Sequence, residues 1–246
     1  MTERRPPSGR VGARATVARD RNRLLASLSP NDFGLLQPHL TAVTLGRMRE
    51  LEKPSRRIND VYFIDAGIAS VVAVQNGNEQ VEVGLIGCEG MTGTSIVLGT
   101  DSSPHSTYIQ VAGAGQRIAA GDLRRAIEAS TSLHRVLLRY VQAFMVQTAH
   151  SAIANARSKI SERLARWILM AHDRVAGDMV PLTHEFLALM LGVRRAGVTE
   201  ALRDLGSMGL IASHRGQITV RDRTGLERLA GHSYGLPEAE YKRLIR

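Results

Sequence analysis

The sequence contains a single cysteine, Cys88, and that scarcity closes several routes. No disulfide can form within one chain, and neither a cysteine-built zinc site nor a cysteine-ligated iron–sulfur cluster is available. A reducing, cytoplasmic setting is the simple reading, with Cys88 itself read as a small buried hydrophobe rather than a redox switch. No apolar run approaches the roughly 18 residues that a membrane span requires, so no membrane is expected as a partner. The first 23 residues carry Arg4, Arg5, Arg10, Arg14, Arg19, Arg21 and Arg23 but lack the apolar core of a secretory signal. Their composition favours a disordered basic arm over a transit peptide. Histidine is scarce where a metal barrel would need it. Between residues 45 and 119 only His105 is present, whereas a jelly-roll enzyme of cupin type needs two or more histidines with a carboxylate. Neither a P-loop nor a Ser-His-Asp arrangement is signalled. No enzymatic activity, metal or cofactor is therefore expected, and the cupin reading stands only as an alternative.

What is present is an ordinary globular composition, 43% hydrophobic and 22% charged, in 246 residues. That length suggests two domains. The net charge is +9, and its placement is informative. Residues 1–25 carry seven basic and two acidic groups, residues 26–156 ten and eleven, and residues 157–246 fifteen and ten. A basic C-terminal segment beside a near-neutral middle suggests that one part meets a polyanion.

Apolar and polar residues alternate in short blocks from about residue 45 to 120, a strand pattern. Val61 to Val74 and Val81 to Leu85 flank Asn76-Gly77, a pair suited to a tight hairpin turn. Further short strands are expected at Thr107 to Val111 and Gln116 to Ala119, separated by Gly113 and Gly115. Such a series fits a sandwich or jelly roll. Asp122 is a candidate N-cap for the helix that follows. From Leu133 to Ala156 a longer helix is apolar on more than one narrow stripe, so it could pack both on the β domain and on a partner helix. Its candidate interface residues are Leu133, Leu137, Tyr140, Val141, Phe144, Met145, Thr148 and Ala152.

The string from Leu182 to Ile211 has the parts of a helix-turn-helix in order. Thr183 can cap a first helix whose inner face holds Leu187, Met190 and Leu191, Gly192 permits the sharp turn, and Val193 plugs the angle between the helices. In the second helix Val198, Ala201, Leu202 and Leu205 have the spacing of a buried face, which turns Arg194, Arg195, Thr199, Glu200 and Arg203 outward. Leu210 to Ser213 and Gln217 to Val220 can then pair as a wing tipped by His214 and Arg215. Cations there gain by releasing counterions from a phosphate backbone, and an arginine fork matches the major-groove acceptors of guanine. The candidate contacts to double-stranded DNA are thus Thr183, Arg194, Arg195, Thr199, Glu200, Arg203, His214 and Arg215.

This order of β domain, long helix and winged helix-turn-helix, together with the glycines at Gly67, Gly90 and Gly93, resembles the Crp/Fnr family of bacterial transcription regulators over about residues 24 to 230. The resemblance implies an α+β protein with an N-terminal jelly roll of cyclic-nucleotide-binding type, a helix forming a homodimer, and a recognition helix in the major groove of a near-palindromic operator. The implied layout is a basic arm over 1–23, an effector-type domain over 24–130, a dimerisation helix over 131–157, the DNA-binding domain over 158–232 and a tail over 233–246. RNA polymerase is an implied partner if the protein activates. Family members often carry an Arg-Glu pair early in the recognition helix and another Arg four residues after the Glu. Arg195 matches the first, but Ala196 and Glu200 replace the others, so a different operator is implied. Cyclic-nucleotide binders carry a Glu and an Arg-Ser pair where this chain aligns Thr94 and His105-Ser106. Cyclic AMP is accordingly not the expected effector, which is unknown. Gly93, Thr94, Ser95, His105 and Ser106 remain the effector-pocket candidates, and cyclic-nucleotide sensing through altered ligands, with Arg117 or an arginine from the partner replacing the missing arginine, is an alternative.

Overall fold

The computed structural model describes residues 19–74 and 80–245. The basic stretch up to residue 18, with Arg4, Arg5, Arg10 and Arg14, lies outside that range, as does the Asn76-Gly77 turn. The remainder of the expected arm is structured. Arg19–Arg21 form a 3-10 turn, and the Arg19 guanidinium donates to the Leu25 and Leu28 carbonyls and lies 5.1 Å over the Phe33 ring. Two short helices follow, α1 (Arg23–Ser27) and α2 (Pro30–Leu36), capped by Asn22 and Ser29. Asn22 is fully buried because its amide also donates to the Ile64 and Gly90 carbonyls, which fixes α1 to the sheet.

Strands β1 (Thr41–Leu45), β2 (Glu50–Glu52), β3 (Asp60–Val74), β4 (Gln80–Ile86) and β5 (Ser106–Ala119) form one antiparallel sheet in the order β1-β5-β3-β4, with β2 also on β5. The expected β3–β4 pair is present, with Val74 opposite Gln80. The two short strands expected at 107–111 and 116–119 are one strand instead. Gly113 does not end it; a Cβ there would strike the Ala66 carbonyl, so the glycine lets β5 lie close against β3. Register shifts at Ile64/Ala66, Ala66/Ile68 and Ile68/Ala69 bend this pair, as strands that curl round a jelly roll must.

A four-residue helix, α3 (Thr94–Val97), interrupts the strands between β4 and β5. Strand β5 runs straight into α4 (Ala120–Ala129), so the helix begins before its first acidic residue. Asp122 is consequently inside the first turn rather than at the N-cap, which is Ala119, and it binds Arg125 instead. Helix α5 (Thr131–Arg157) is capped by Ser130 and matches the expected long helix. At 1.5 Å per residue it is about 40 Å long. Leu133, Leu137, Tyr140 and Val141 are spent on the chain's own core, with Val61, Phe63 and Leu123. Gln147 pairs with a strand by side chain alone: its amide accepts from the Leu85 N–H at 2.7 Å and donates to the Leu85 carbonyl at 3.2 Å.

The C-terminal part comprises α6 (Ile160–His172), β6 (Met179–Pro181), α7 (His184–Leu191), α8 (Arg195–Ser207), β7 (Ile211–His214), β8 (Gln217–Val220), α9 (Arg223–Ala230) and α10 (Leu236–Leu244). Strands β6, β8 and β7 make a second antiparallel sheet. A single apolar cluster runs from Ile68, Val72, Leu85 and Tyr108 on the first sheet into α6, α7 and α8. Within it the Tyr108 and Phe186 rings meet edge to face at 6.5 Å.

The same junction buries a carboxyl group. Alternation along β4 suggests Glu82 on the face opposite Val81, Val83 and Leu85, yet the register shift between Val71 and Val72 leaves both Glu82 and Leu85 buried. The Trp167 indole N–H donates to Glu82 Oε1 at 2.6 Å, while Glu82 Oε2 has no partner among the described residues. Burial raises the Glu82 pKa to about 7, against the pull of the Trp167 hydrogen bond. The sign of the linkage follows. A carboxyl raised in the fold contributes fully below its unfolded value of 4.5 and loses that contribution as pH rises through about 7. Urea unfolding across this range should show Glu82→Gln gaining on the wild type by roughly 1–3 kcal/mol as the pH rises; a constant difference would contradict it.

Candidate nucleic-acid interface

Helix α7 begins where the Thr183 hydroxyl accepts from the Phe186 N–H at 3.2 Å. Leu187, Met190 and Leu191 turn into the core as expected. The helix stops at Gly192, which takes a left-handed backbone (φ 60°) open to few other residues. The Val193 N–H then returns to the Ala188 carbonyl at 3.0 Å, and its side chain packs against the core in the angle between α7 and α8.

Along α8, Val198, Ala201, Leu202 and Leu205 are buried. Arg194, Arg195, Thr199, Glu200 and Arg203 are exposed. The N-cap of α8 is Arg194, and no side chain caps this end. Its first N–H groups are therefore open to an external acceptor. Arg203 lies 3.8 Å from Glu200 and 4.0 Å from Asp204, loose surface pairs that leave the guanidinium exposed.

The wing is a two-residue hairpin, with His214 opposite Gln217. Arg215 (φ 41°) and Gly216 (φ 79°) both have positive φ, the pattern of a type I′ turn. Asparagine or glycine usually fills the first of these positions, so an arginine there is held at a cost of roughly 1–2 kcal/mol. The eight candidate residues are not scattered. A Cβ at Gly216 would lie 3.4 Å from Thr183 Cγ2, and His184 Nδ1 is 3.1 Å from Thr199 Oγ1. The wing tip, the start of α7 and the exposed flank of α8 therefore adjoin one another. Sequence reasoning missed β6, which pairs with β8 through Met179–Pro181 and makes the wing three-stranded; three residues containing a proline carry no strand pattern.

The effector-pocket candidates meet a different outcome. Gly93, Thr94 and Ser95 form the start of α3, while His105 and Ser106 lead into β5. Two donors at this place are already engaged. Buried Glu52 accepts from the Gly93 N–H at 2.5 Å and from the Thr107 hydroxyl at 2.8 Å. Burial pushes the Glu52 carboxyl up, and those two bonds pull it back. An anionic ligand would have to displace this carboxylate. Arg117, considered as a replacement phosphate ligand, lies 3.7 Å from Asp60 and opposite Thr41 and Tyr62 in the sheet. Cys88 is half-buried, and burial together with Glu89 raises its pKa, which makes a reactive thiolate unfavourable.

The Crp-like helix-turn-helix domain matches residues 162–229. The chain is 24% identical over 196 residues to a global nitrogen regulator of Nostoc sp., covering 75% of this chain and 87% of that one. Its fold is shared with solved structures. A transcriptional regulator of the CRP family from Thermus thermophilus superposes with a TM-score of 0.64 at 21% identity, over 77% of this chain and 96% of its own. FixK2 from Bradyrhizobium japonicum does so with 0.66 at 17%, over 78% and 98%.

The cap at the head of α7 gives a direct check. Thr183→Ala should lower stability by about 1 kcal/mol, and Thr183→Asn should restore it. Equal stability of all three in urea titrations would show that the cap does not hold this end of the helix.

Proposed function

We infer that this transcription regulator of Crp/Fnr type works in the cytoplasm as a homodimer that reads double-stranded DNA with α8. The observation that carries the reading is the exposed set of Arg194, Arg195 and Arg203 on a helix whose opposite face is buried and whose N-terminus lacks a cap. Arg195 is the base reader, suited to guanine, while Arg194 and Arg203 supply base or phosphate contacts. Thr199 and Glu200 lie between them, and Glu200 can accept from a cytosine amino group. Thr183, His214 and Arg215 meet phosphates from the adjoining edge. The strained backbone at Arg215 supports this role, since a side chain kept at such a cost is better explained by a contact than by the turn itself.

The dimer forms along α5, on a face that keeps Met145 and Ala152 of the sequence candidates and gives up Leu133, Leu137, Tyr140 and Val141. With Leu133, Leu137, Tyr140 and Val141 buried within the protomer, the free stripe consists of Leu138, Gln142, Met145, Ala149, Ala152 and Ala156, all exposed. Their spacing alternates four and three, the heptad seam of a two-helix coil. Met145 is 59% exposed and Ile153, beside the stripe, 54%, more apolar surface than a solvated helix needs. The proposed division is an effector-type unit over 24–130, the dimer helix over 131–157 and the DNA-binding unit from 158 to 232. RNA polymerase is a further partner if the protein activates.

Fluorescence anisotropy on a bound promoter fragment should show Arg195→Ala losing about 1–3 kcal/mol and relaxing base preference. Arg215→Asn should weaken all sequences alike and reduce the salt slope by about 1, while raising stability. Unchanged affinity in both variants would contradict the reading. Analytical ultracentrifugation should find Met145→Glu shifted from dimer to monomer; a dimer persisting at micromolar concentration would place the interface elsewhere.

A further inference from the structure

A cavity of about 390 Å³ lies where the sheet, α5, α6, α9 and α10 meet, and it shares no lining residue with the Gly93 and Ser106 region. Its size is that of a small-ligand site. The walls are aromatic, from Tyr140, Phe144, Tyr234 and Tyr241. They come close because Gly84, Gly87 and Gly90 leave no Cβ in the way: one added at these positions would meet the Phe144 ring, the Arg174 stem and the Tyr140 ring. The space is therefore framed by close contacts rather than by loose packing.

The charges are sorted in a way that gives the site a sign. Glu89 is bound by Arg174 at 2.7 Å and accepts from the Gly87 N–H. Asp173 is bound by Arg223 at 2.8 Å and accepts from the Tyr234 hydroxyl at 2.6 Å. Glu238 accepts from the Gly235 N–H at 2.8 Å, at the head of its own helix. All three carboxylates in the lining are thus engaged, and two of the cations are neutralised. Arg23 and Lys242 also line the cavity, are exposed, and make no ion pair among the described residues. No cation pairs with Glu238 among the described residues, so four cations against three carboxylates leave the lining with a net charge of about +1, carried at the solvent-accessible Arg23 and Lys242.

We propose that this cavity binds a planar aromatic monoanion, with its ring between Tyr140, Phe144 and Tyr241 and its anionic group at Arg23 and Lys242. Such an occupant would touch Leu85 on the sheet and Arg174 and Arg223 in the DNA-binding part at once. A ligand that favours one relative placement of these parts shifts the population toward it. That regulatory consequence rests on the DNA-binding reading; the binding site does not.

The test is calorimetric titration of the full-length protein, without DNA, with 1-naphthoate, neutral 1-naphthamide and cationic 1-naphthylmethylamine. Naphthoate should bind once per chain, about tenfold or more tighter than either analogue. Arg23→Glu/Lys242→Glu, both changes on the surface, should weaken it by about tenfold or more. Ala143→Phe, which fills the cavity, should abolish binding while circular dichroism stays unchanged. Equal or tighter binding of the amine, no naphthoate binding up to its solubility limit, or undiminished binding in the charge-reversed protein would overturn the proposal. Because no DNA is present, such a failure leaves the DNA-binding reading untouched.

Discussion

The molecule depends on one helix that has no solvent face to spare. Every residue from Leu164 to Ala171 in α6 is buried, so the helix can exist only while other elements surround it. Those elements are α7, α8 and α9 of the DNA-binding part together with the edge of the first sheet. Arg166, buried among them, is satisfied by the carbonyls of Ser233 and Gln147 and the hydroxyl of Ser151, which ties α6 to α5 and to the C-terminal segment. Helix α8 is positioned by this arrangement rather than by its own weak propensity, which two internal glycines reduce.

A consequence is that the first sheet and the C-terminal part from α6 onward are not separate bodies joined by a linker. Phe186 on Tyr108 and Trp167 on Glu82 cross that boundary directly, and Gln147 on Leu85 fastens α5 to the same sheet. Any change of placement must break the buried Trp167–Glu82 contact or transfer it to another partner. The carboxyl of Glu52, seated on the Gly93 and Thr107 donors, shows the same economy elsewhere: the chain fills with its own side chain a region where the resemblance implied a ligand.

Much of this was legible because it depends on local pattern. The alternation of Val61 to Val74, the uninterrupted helix after Ser130, Gly192 at the turn and the three-and-four spacing of Val198 to Leu205 each reflect one element burying one face. What was missed depends on partners distant in sequence. Gly113 reads as a break until β3 is seen lying against it. Asp122 reads as a cap until the preceding strand is seen running into the helix. Leu133, Leu137, Tyr140 and Val141 were assigned to a partner because periodicity shows that a face is buried and not what buries it. Tyr241 donates to the Glu89 carbonyl 152 positions away, so α10, read only as a tail, forms one wall of the junction cavity; no local pattern signals such a contact.

The central claim is that two copies of α8, related by the two-fold axis of paired α5 helices, read DNA together. Selection of bound duplexes from a random library by the purified full-length protein tests it most directly. The account predicts an inverted repeat whose half-sites are about 10 base pairs apart centre to centre, with a guanine in each half. Recovery of a single unrepeated site, or no enrichment over the starting library, would contradict it.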